Sequence, residues 1–161
     1  MKYRQFEDLP VWQDAAELGR LMLEFVALEA FRRHGGIRDQ LERAVFSISN
    51  NIAEGFERGS TSELLAFLYI SRGSAGEVRS MLRVLEKWQP LANYKSQISN
   101  LRGRCENISK QLYGWIEQLK NSDIRGQRHF DEKKRAAYVS RKDREEFLEE
   151  LRRTAAKREK D

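Results

Sequence analysis

Apolar residues recur every three or four positions along most of the chain, which is the spacing of one face of an α-helix. The most regular run predicts a helix from about Ile37 to Phe56, with apolar positions at Ile37, Leu41, Val45, Ile48, Ile52 and Phe56. Asn50 and Asn51 in this run are poor helix formers, so we expect them to be exposed or hydrogen-bonded.

An earlier run predicts the first helix, from about Asp8 to Arg33. Asp8 can cap this helix, and Pro10 suits its first turn, where the missing N–H is not needed. His34-Gly35-Gly36 is expected to end it, because glycine readily adopts the left-handed conformation at helix ends. The apolar positions of this helix are Trp12, Ala15, Ala16, Gly19, Met22, Phe25 and Val26.

The third helix is predicted to follow the break Glu57-Arg58-Gly59 and to run to about Trp88, before Pro90. Ser60 or Thr61 caps it, and Glu63 stands three residues beyond Ser60, in capping-box position. Its main apolar face consists of Leu64, Leu68, Ser71, Ala75, Val78, Leu82 and Leu85.

A second group of apolar residues lies beside that face, and we call it the apolar set: Phe67, Ile70, Met81 and Trp88. At about 100° per residue, the two groups cover roughly half of the helix circumference, which is wider than one bundle core needs. The excess predicts self-association through the apolar set, and the alternative is that long loops or the tail cover it.

Small residues occupy the middle of the third helix, namely Ser71, Gly73, Ser74, Ala75 and Gly76. Two glycines inside a helix cost about 1–2 kcal/mol in helix propensity. Close approach of a neighbouring helix is the expected compensation, and we predict it against Ala15, Ala16 and Gly19 of the first helix.

The fourth helix is predicted from about Ala92 to Lys120, with a narrow apolar seam at Tyr94, Ile98, Leu101, Cys105, Ile108, Leu112, Trp115 or Ile116, and Leu119. Cys105 falls inside this seam, so we interpret it as a buried thiol rather than a nucleophile. Four amphipathic helices with short connections predict an all-α, antiparallel up-down-up-down bundle over residues 1–121. Residues 122–161 are predicted to form a charged extension, partly helical or disordered, with a short helix after Ser140.

Composition adds few constraints on function. The chain of 161 residues carries a net charge of +5 with a pI near 9.4, which permits contact with nucleic acid without requiring it. Its single cysteine cannot form an internal disulfide, no apolar run reaches the length of a membrane span, and the first residues lack a signal-peptide core. These features predict a cytoplasmic protein.

No arrangement of residues predicts catalysis, a cofactor or a metal site. His34 and His129 both lie in predicted breaks, and Cys105 is far from either in sequence. Glu54, Glu57 and Glu63 cluster near one turn, where cap and surface roles are more common than cation binding. We therefore expect a protein that is not an enzyme.

Four cations, which we call the basic edge, follow one side of the third helix: Arg72, Arg79, Arg83 and Lys87. Such a row can follow nucleic-acid phosphates, meet acidic residues of a neighbouring subunit, or remain a solvated edge. In a ring the row would be repeated around the axis, which would strengthen a modest monomer charge.

Three segments resemble the four-helix bundle family encoded in intervening sequences of bacterial 23S ribosomal RNA genes. They are Phe6-Glu7-Asp8-Leu9-Pro10-Val11-Trp12-Gln13, the stretch from Ser47 to Phe56 (SISNNIAEGF), and the stretch from Glu63 to Ser74 (ELLAFLYISRGS). The resemblance covers about residues 6–121. The chain departs from the family pattern at Ser49, where proline is usual, and at Val78-Arg79-Ser80, where Leu-Glu-Thr is usual.

The resemblance implies a homopentameric bundle. The family that the chain resembles includes accessory variability determinants of diversity-generating retroelements, whose ring binds a reverse transcriptase and nucleic acid. We therefore expect a non-enzymatic scaffold that binds RNA or DNA through the basic edge, with a reverse transcriptase as a candidate partner and no membrane contact. The alternative is a protein-interaction scaffold with no nucleic-acid role.

Overall fold

The computed structural model describes residues 3–122, and this part of the chain is all-helical, with no strand. Its four long helices are α1 (Pro10–Val26), α2 (Gly35–Glu57), α3 (Thr61–Leu85) and α4 (Lys95–Lys120). Short 3-10 helices at Phe6–Asp8, Glu29–Phe31 and Gln89–Tyr94 precede α1, α2 and α4. The predicted four-helix bundle is confirmed, whereas nearly all of the predicted extension, from residue 123 onward, lies outside the described residues.

One apolar core lies between the four helices, and the stripes seen in the sequence supply it. Among its fully buried large side chains are Phe25, Phe31, Leu18, Met22, Leu41, Ile48, Ile52, Leu64, Leu68, Leu82, Leu91 and Ile98. Helix α2 packs between α1 and α3, and α4 also contacts both α1 and α3. None of the helices in residues 3–122 is long and apolar enough to cross a membrane.

The predicted limits of the first helix are wrong at both ends. Pro10 takes the first helical position, as predicted for the first turn, so Leu9 is the N-cap, and its apolar side chain has no acceptor with which to cap the helix. Asp8 instead accepts a hydrogen bond from Gln5 at 3.1 Å. The helix ends at Val26, and a 3-10 helix then brings Phe31 against Phe25 with ring centroids 5.2 Å apart. Residues 26–33 contain neither glycine nor proline, so the sequence has no local signal for this early helix end.

Gly35 and Gly36 begin α2 rather than ending the helix before it, which corrects the predicted connector. At the other end of α2, the turn to α3 follows the prediction: Gly59 has a positive φ of 76°, and Ser60 caps α3 by accepting from the Glu63 backbone N–H at 3.4 Å. Helix α3 ends at Leu85 instead of Trp88.

The fourth helix begins at Lys95 instead of Ala92. Pro90 stands at the start of the 3-10 helix Gln89–Tyr94, which carries the chain between α3 and α4. Leu91 in this segment is buried in the core. Its burial fixes the 3-10 connection, and α4 therefore begins later than predicted.

The small residues of α3 pack against α2 and not against α1, which corrects the predicted approach. Ser71 donates to the Ile48 carbonyl at 2.9 Å, and the hydroxyls of Ser47 and Ser74 are 2.9 Å apart. A Cβ added at Gly73 or Gly76 would meet no atom of residues 3–122 within 4 Å, so neither glycine marks a contact between the four described helices. Asn50 is exposed, and Asn51 donates to the Ser47 carbonyl at 2.6 Å.

Candidate nucleic-acid interface

The basic edge lies on the side of α3 that faces α4. Arg72 is held there by an aromatic ring, because its guanidinium carbon is 4.9 Å from the ring centroid of Tyr113 on α4. This geometry is a cation–π contact, and the Arg72 guanidinium forms no ion pair with a carboxylate of residues 3–122.

Arg79 lies one step further along the same edge, beside an open groove between α3 and α4. The groove has a volume of about 460 Å³ and is lined by Gly76, Arg79, Ser80, Arg83 and Glu106. Neither Arg79 nor Lys87 forms an ion pair with another residue in the part of the chain that the structure describes. Their charges are therefore available to a partner, apart from the nearby carboxylate of Glu106.

Arg83 is tied to α4 through a shared carboxylate. Glu86 accepts from Arg83 at 3.3 Å and from Arg102 at 3.1 Å. The Arg102 side chain is only 17% exposed, whereas that of Arg83 is 60% exposed. One carboxylate thus serves two arginines, so this end of the basic edge keeps a positive excess.

Charge divides unevenly between the two helix pairs. Residues 61–120, which hold α3 and α4, contain nine Lys and Arg against five Asp and Glu. Residues 10–57, which hold α1 and α2, contain five Lys and Arg against eight Asp and Glu. The near-neutral bundle therefore has a basic half and an acidic half, and the basic edge belongs to the first.

The apolar set lies on the other edge of α3, toward α2. Phe67 lies beneath Arg58, with 5.1 Å from the guanidinium carbon to the ring centroid, and its Cβ is near Gly55. Met81 and Trp88 are partly buried against their own core, and Trp88 also contacts Phe31 and His34 edge-on. Ile70 is the freest member, with 52% of its surface exposed.

The residues considered for catalysis are separated by the fold. Cys105 is fully buried, and burial raises the pKa of its thiol to about 12, with a smaller opposing effect of Arg79. His34 packs edge-on against Trp88 at a centroid distance of 4.8 Å. Glu54 and Glu63 are engaged by Arg58 and by Ser60, respectively. No group of three or more metal-ligating side chains occurs within residues 3–122.

Two exposed tyrosines were missed by the sequence analysis. Tyr69 and Tyr113 flank the Arg72 end of the basic edge, and each keeps about half of its surface exposed. The helical periodicity contains a signal for them, because both fall outside the buried stripes of α3 and α4. Their proximity to the basic edge depends on the pairing of the two helices, which the sequence does not state.

The model of a family described as 23S rRNA-intervening sequence protein matches residues 7–114. A solved structure with similar helices is a protein of unknown function from the S23 ribosomal protein family of Bacteroides thetaiotaomicron. It shares 19% identity and a TM-score of 0.59, over 66% of this chain and 98% of that one. At this identity the similarity shows the fold alone. Among proteins with curated descriptions, no match was found.

Proposed function

We propose that this chain, which belongs to the 23S rRNA-intervening sequence protein family, is a non-enzymatic, oligomeric scaffold that binds nucleic acid. The observation that carries the proposal is the excess of cations over residues 61–120, concentrated along the basic edge. A row of arginines and lysines attracts phosphates by neutralising their charge and releasing counterions.

The basic edge supports phosphate binding through its geometry as well as its charge. Arg72 and Arg83 are eleven residues apart on one helix, which corresponds to about 16 Å along the axis. Arg72, Arg79 and Arg83 share the α4 side of α3, and Lys87 extends the row beyond the end of the helix. One strand of nucleic acid lying along the groove would meet these cations in succession.

The proposed assembly is an antiparallel bundle that forms a ring of identical copies, with the pentamer implied by the family resemblance as the favoured number. Arg72 of α3 contacts Tyr113 of α4, whereas Glu86, just after α3, contacts Arg102, which lies earlier in α4. Later residues near α3 thus meet earlier residues of α4, which supports antiparallel order. Ile70, half exposed on the α2 side of α3, is the proposed centre of the subunit contact.

Ile70 and Arg72 are two residues apart in α3, which places them about 160° apart around the helix, so a subunit contact centred on Ile70 lies away from the basic edge. This arrangement leaves the basic edge of each copy available on the ring. A reverse transcriptase, as in retroelement relatives, is the proposed protein partner, and the cytoplasm is the proposed location.

The first experiment measures the solution mass of the nuclease-treated protein by light scattering and then titrates it with labelled RNA and DNA at two salt concentrations. We expect a multiple of the 18.9 kDa chain mass and a steep loss of affinity at higher salt. An Ile70→Asp variant should dissociate the assembly, whereas Leu23→Asp, an equally exposed apolar position on α1, should leave it intact.

Two matched variants are compared, and each removes four cations from one half of the bundle. Replacing Arg72, Arg79, Arg83 and Lys87 by Ala should weaken binding and flatten its salt dependence, whereas replacing Arg32, Arg33, Arg38 and Arg43 should have little effect. A milder variant, Arg83→Glu with Lys87→Glu, changes only exposed residues and protects the test against misfolding. Unchanged affinity and salt slope in both basic-edge variants would overturn the proposal.

A second candidate function is a scaffold that contacts only protein. It is favoured by exposed apolar side chains on α3, where Ile70 and Val84 keep 52% and 69% of their surface in solvent. Salt-insensitive partner binding that is lost in Ile70→Asp, together with no retention of RNA or DNA, would select this candidate.

A further inference from the structure

The Arg72 end of the basic edge carries two half-exposed tyrosines. Tyr69 on α3 is 49% exposed and Tyr113 on α4 is 51% exposed. The Tyr113 ring lies against the Arg72 guanidinium at 4.9 Å, so one face of this ring is fixed by the protein while the side chain remains half in solvent. A tyrosine held in this way is a rigid surface on which a flat group can stack.

A second cation interacts electrostatically with both phenol groups. Lys120, in the last turn of α4, donates to Glu117 at 3.0 Å. The pKa of Lys120 is raised, mainly by this hydrogen bond to Glu117 and further by the electrostatic influence of Tyr69 and Tyr113. Lys120 is thus a further cation within electrostatic reach of both tyrosines, and Glu117 is its opposing charge.

The groove beside Arg79 lies further along the α4 side of α3. Its lining includes Gly76, where an added Cβ would meet nothing within 4 Å, and the hydroxyl of Ser80. From Tyr69 to Arg83 is fourteen residues of helix, or about 21 Å. The two tyrosines are thus followed along α3 by a polar groove lined by Arg79 and Arg83, and the row from Tyr69 to Arg83 is long enough for several nucleotides.

The combination of exposed tyrosines and arginines would interact differently with double-stranded and single-stranded nucleic acid. A duplex presents its phosphates but hides the faces of its bases, so only the cations would contact it. A single strand presents phosphates and base faces together, and proteins that bind single strands combine a positive groove with aromatic stacking.

We propose that the basic edge is a single-strand binding site, in which bases stack on Tyr69 and Tyr113 while the phosphates follow Arg79 and Arg83. This inference rests on the proposed function and specifies its ligand class. Arg72 acts as a positioning residue, because it fixes the Tyr113 ring.

The test compares three probes of equal length: a mixed-sequence single-stranded DNA, an abasic strand that keeps the phosphates without bases, and a DNA duplex. We expect the wild-type protein to bind the base-bearing single strand roughly tenfold more tightly than the abasic strand. Tyr69→Ala with Tyr113→Ala should remove this preference and leave the salt slope unchanged. Tyr69→Phe with Tyr113→Phe should retain it, because phenylalanine keeps the stacking surface.

The outcomes separate this inference from the proposed function. Equal binding of the base-bearing and abasic strands by the wild type, or an unchanged preference in the double alanine variant, would overturn the single-strand site while leaving phosphate binding intact. Binding of none of these probes, together with no binding of the labelled RNA in the first experiment, would overturn both. Loss of affinity for all probes in the basic-edge variants, together with loss of base preference alone in the tyrosine variant, would support both.

Discussion

The two edges of α3 flank the same buried apolar face, yet they are built from different interactions. The edge toward α2 is closed by short hydroxyl contacts, such as Ser71 to the Ile48 carbonyl, and by Gly55 lying against Phe67. The edge toward α4 is open, with long cationic side chains over a groove of about 460 Å³. Small side chains let two helices approach, whereas long charged ones hold their ends in water.

This difference separates stability from binding along one helix. Changes at the α2 edge should alter folding, because its groups are packed and hydrogen-bonded. Changes at the α4 edge should alter ligand binding and its salt dependence, because charges that remain exposed add little to stability. Variants at the two edges can therefore be compared by their effects on stability and on binding.

The largest expected effect is the protection of Cys105, which lies in the core behind the α4 edge. A pKa of about 12 instead of the ordinary 9.0 leaves about a thousandfold less thiolate at any pH below 9. Thiol labelling near pH 8 should therefore be at least about a hundredfold slower in the folded protein than in concentrated guanidinium. The folded state binds this proton more tightly, so the thiol's contribution to stability falls as pH rises above 9.0. Rapid labelling of the folded chain would contradict the burial of Cys105.

Gly55→Val should produce the largest loss of stability at the α2 edge. Even the first added carbon would lie 2.7 Å from the Cβ of Phe67 and 3.2 Å from a methyl of Leu64. We expect a loss of about 1–3 kcal/mol in the free energy of unfolding, measured by urea denaturation. Gly73→Val is the matched control, since Gly73 faces open space on the same pair of helices, and it should change stability by less than about 0.5 kcal/mol. Equal losses in the two variants would contradict the close packing at Gly55.

Ser71→Ala removes one hydrogen bond from the same edge without adding volume. Its hydroxyl is fully buried and bonded to the Ile48 carbonyl, so the free energy of unfolding should fall by about 1 kcal/mol. Ser80→Ala, on the solvent-exposed side of α3, provides the comparison and should be nearly neutral in the same denaturation experiment. A neutral Ser71→Ala would mean that this bond does not help to join α2 and α3.

Glu86→Gln should have the smallest effect on stability and should act through charge. The variant weakens the attraction of Glu86 for Arg83 and Arg102, which are 3.3 and 3.1 Å away. We expect the free energy of unfolding to fall by no more than about 1 kcal/mol, and by less at high salt. Nucleic-acid affinity should rise, because the variant removes a negative charge beside the basic edge. Weaker nucleic-acid binding by Glu86→Gln would contradict the role given to this edge.

Much of the helical pattern was predictable because it depends on local rules. Ser60 and Glu63 have the spacing of a capping box, Gly59 is free to adopt the positive φ of the turn, and the apolar stripes of α2 and α4 fall in the core. The ends of the first helix were not predictable in this way. Burial of Phe31 against Phe25 is a tertiary contact with no local signal.

The candidate site was predictable only in part. Helical spacing is enough to align Arg72, Arg79 and Arg83 on one side of α3, but it does not identify the neighbour that this side faces. Tyr113 lies forty-one residues beyond Arg72 in the chain, and only the packing of α3 against α4 brings the two together. The small residues of α3 were assigned to the wrong neighbour for the same reason.

The sequence by itself determined the existence of four helices, the turn between α2 and α3, and most core positions of α2, α3 and α4, because periodicity and capping depend on neighbours within a few positions. The tertiary structure decided which helices touch: Ser71 and Ser74 against α2, and the basic edge with Tyr113 against α4. A helix has the same amphipathic pattern whichever neighbour covers it. The identity of that neighbour follows only when all four apolar faces are buried at once.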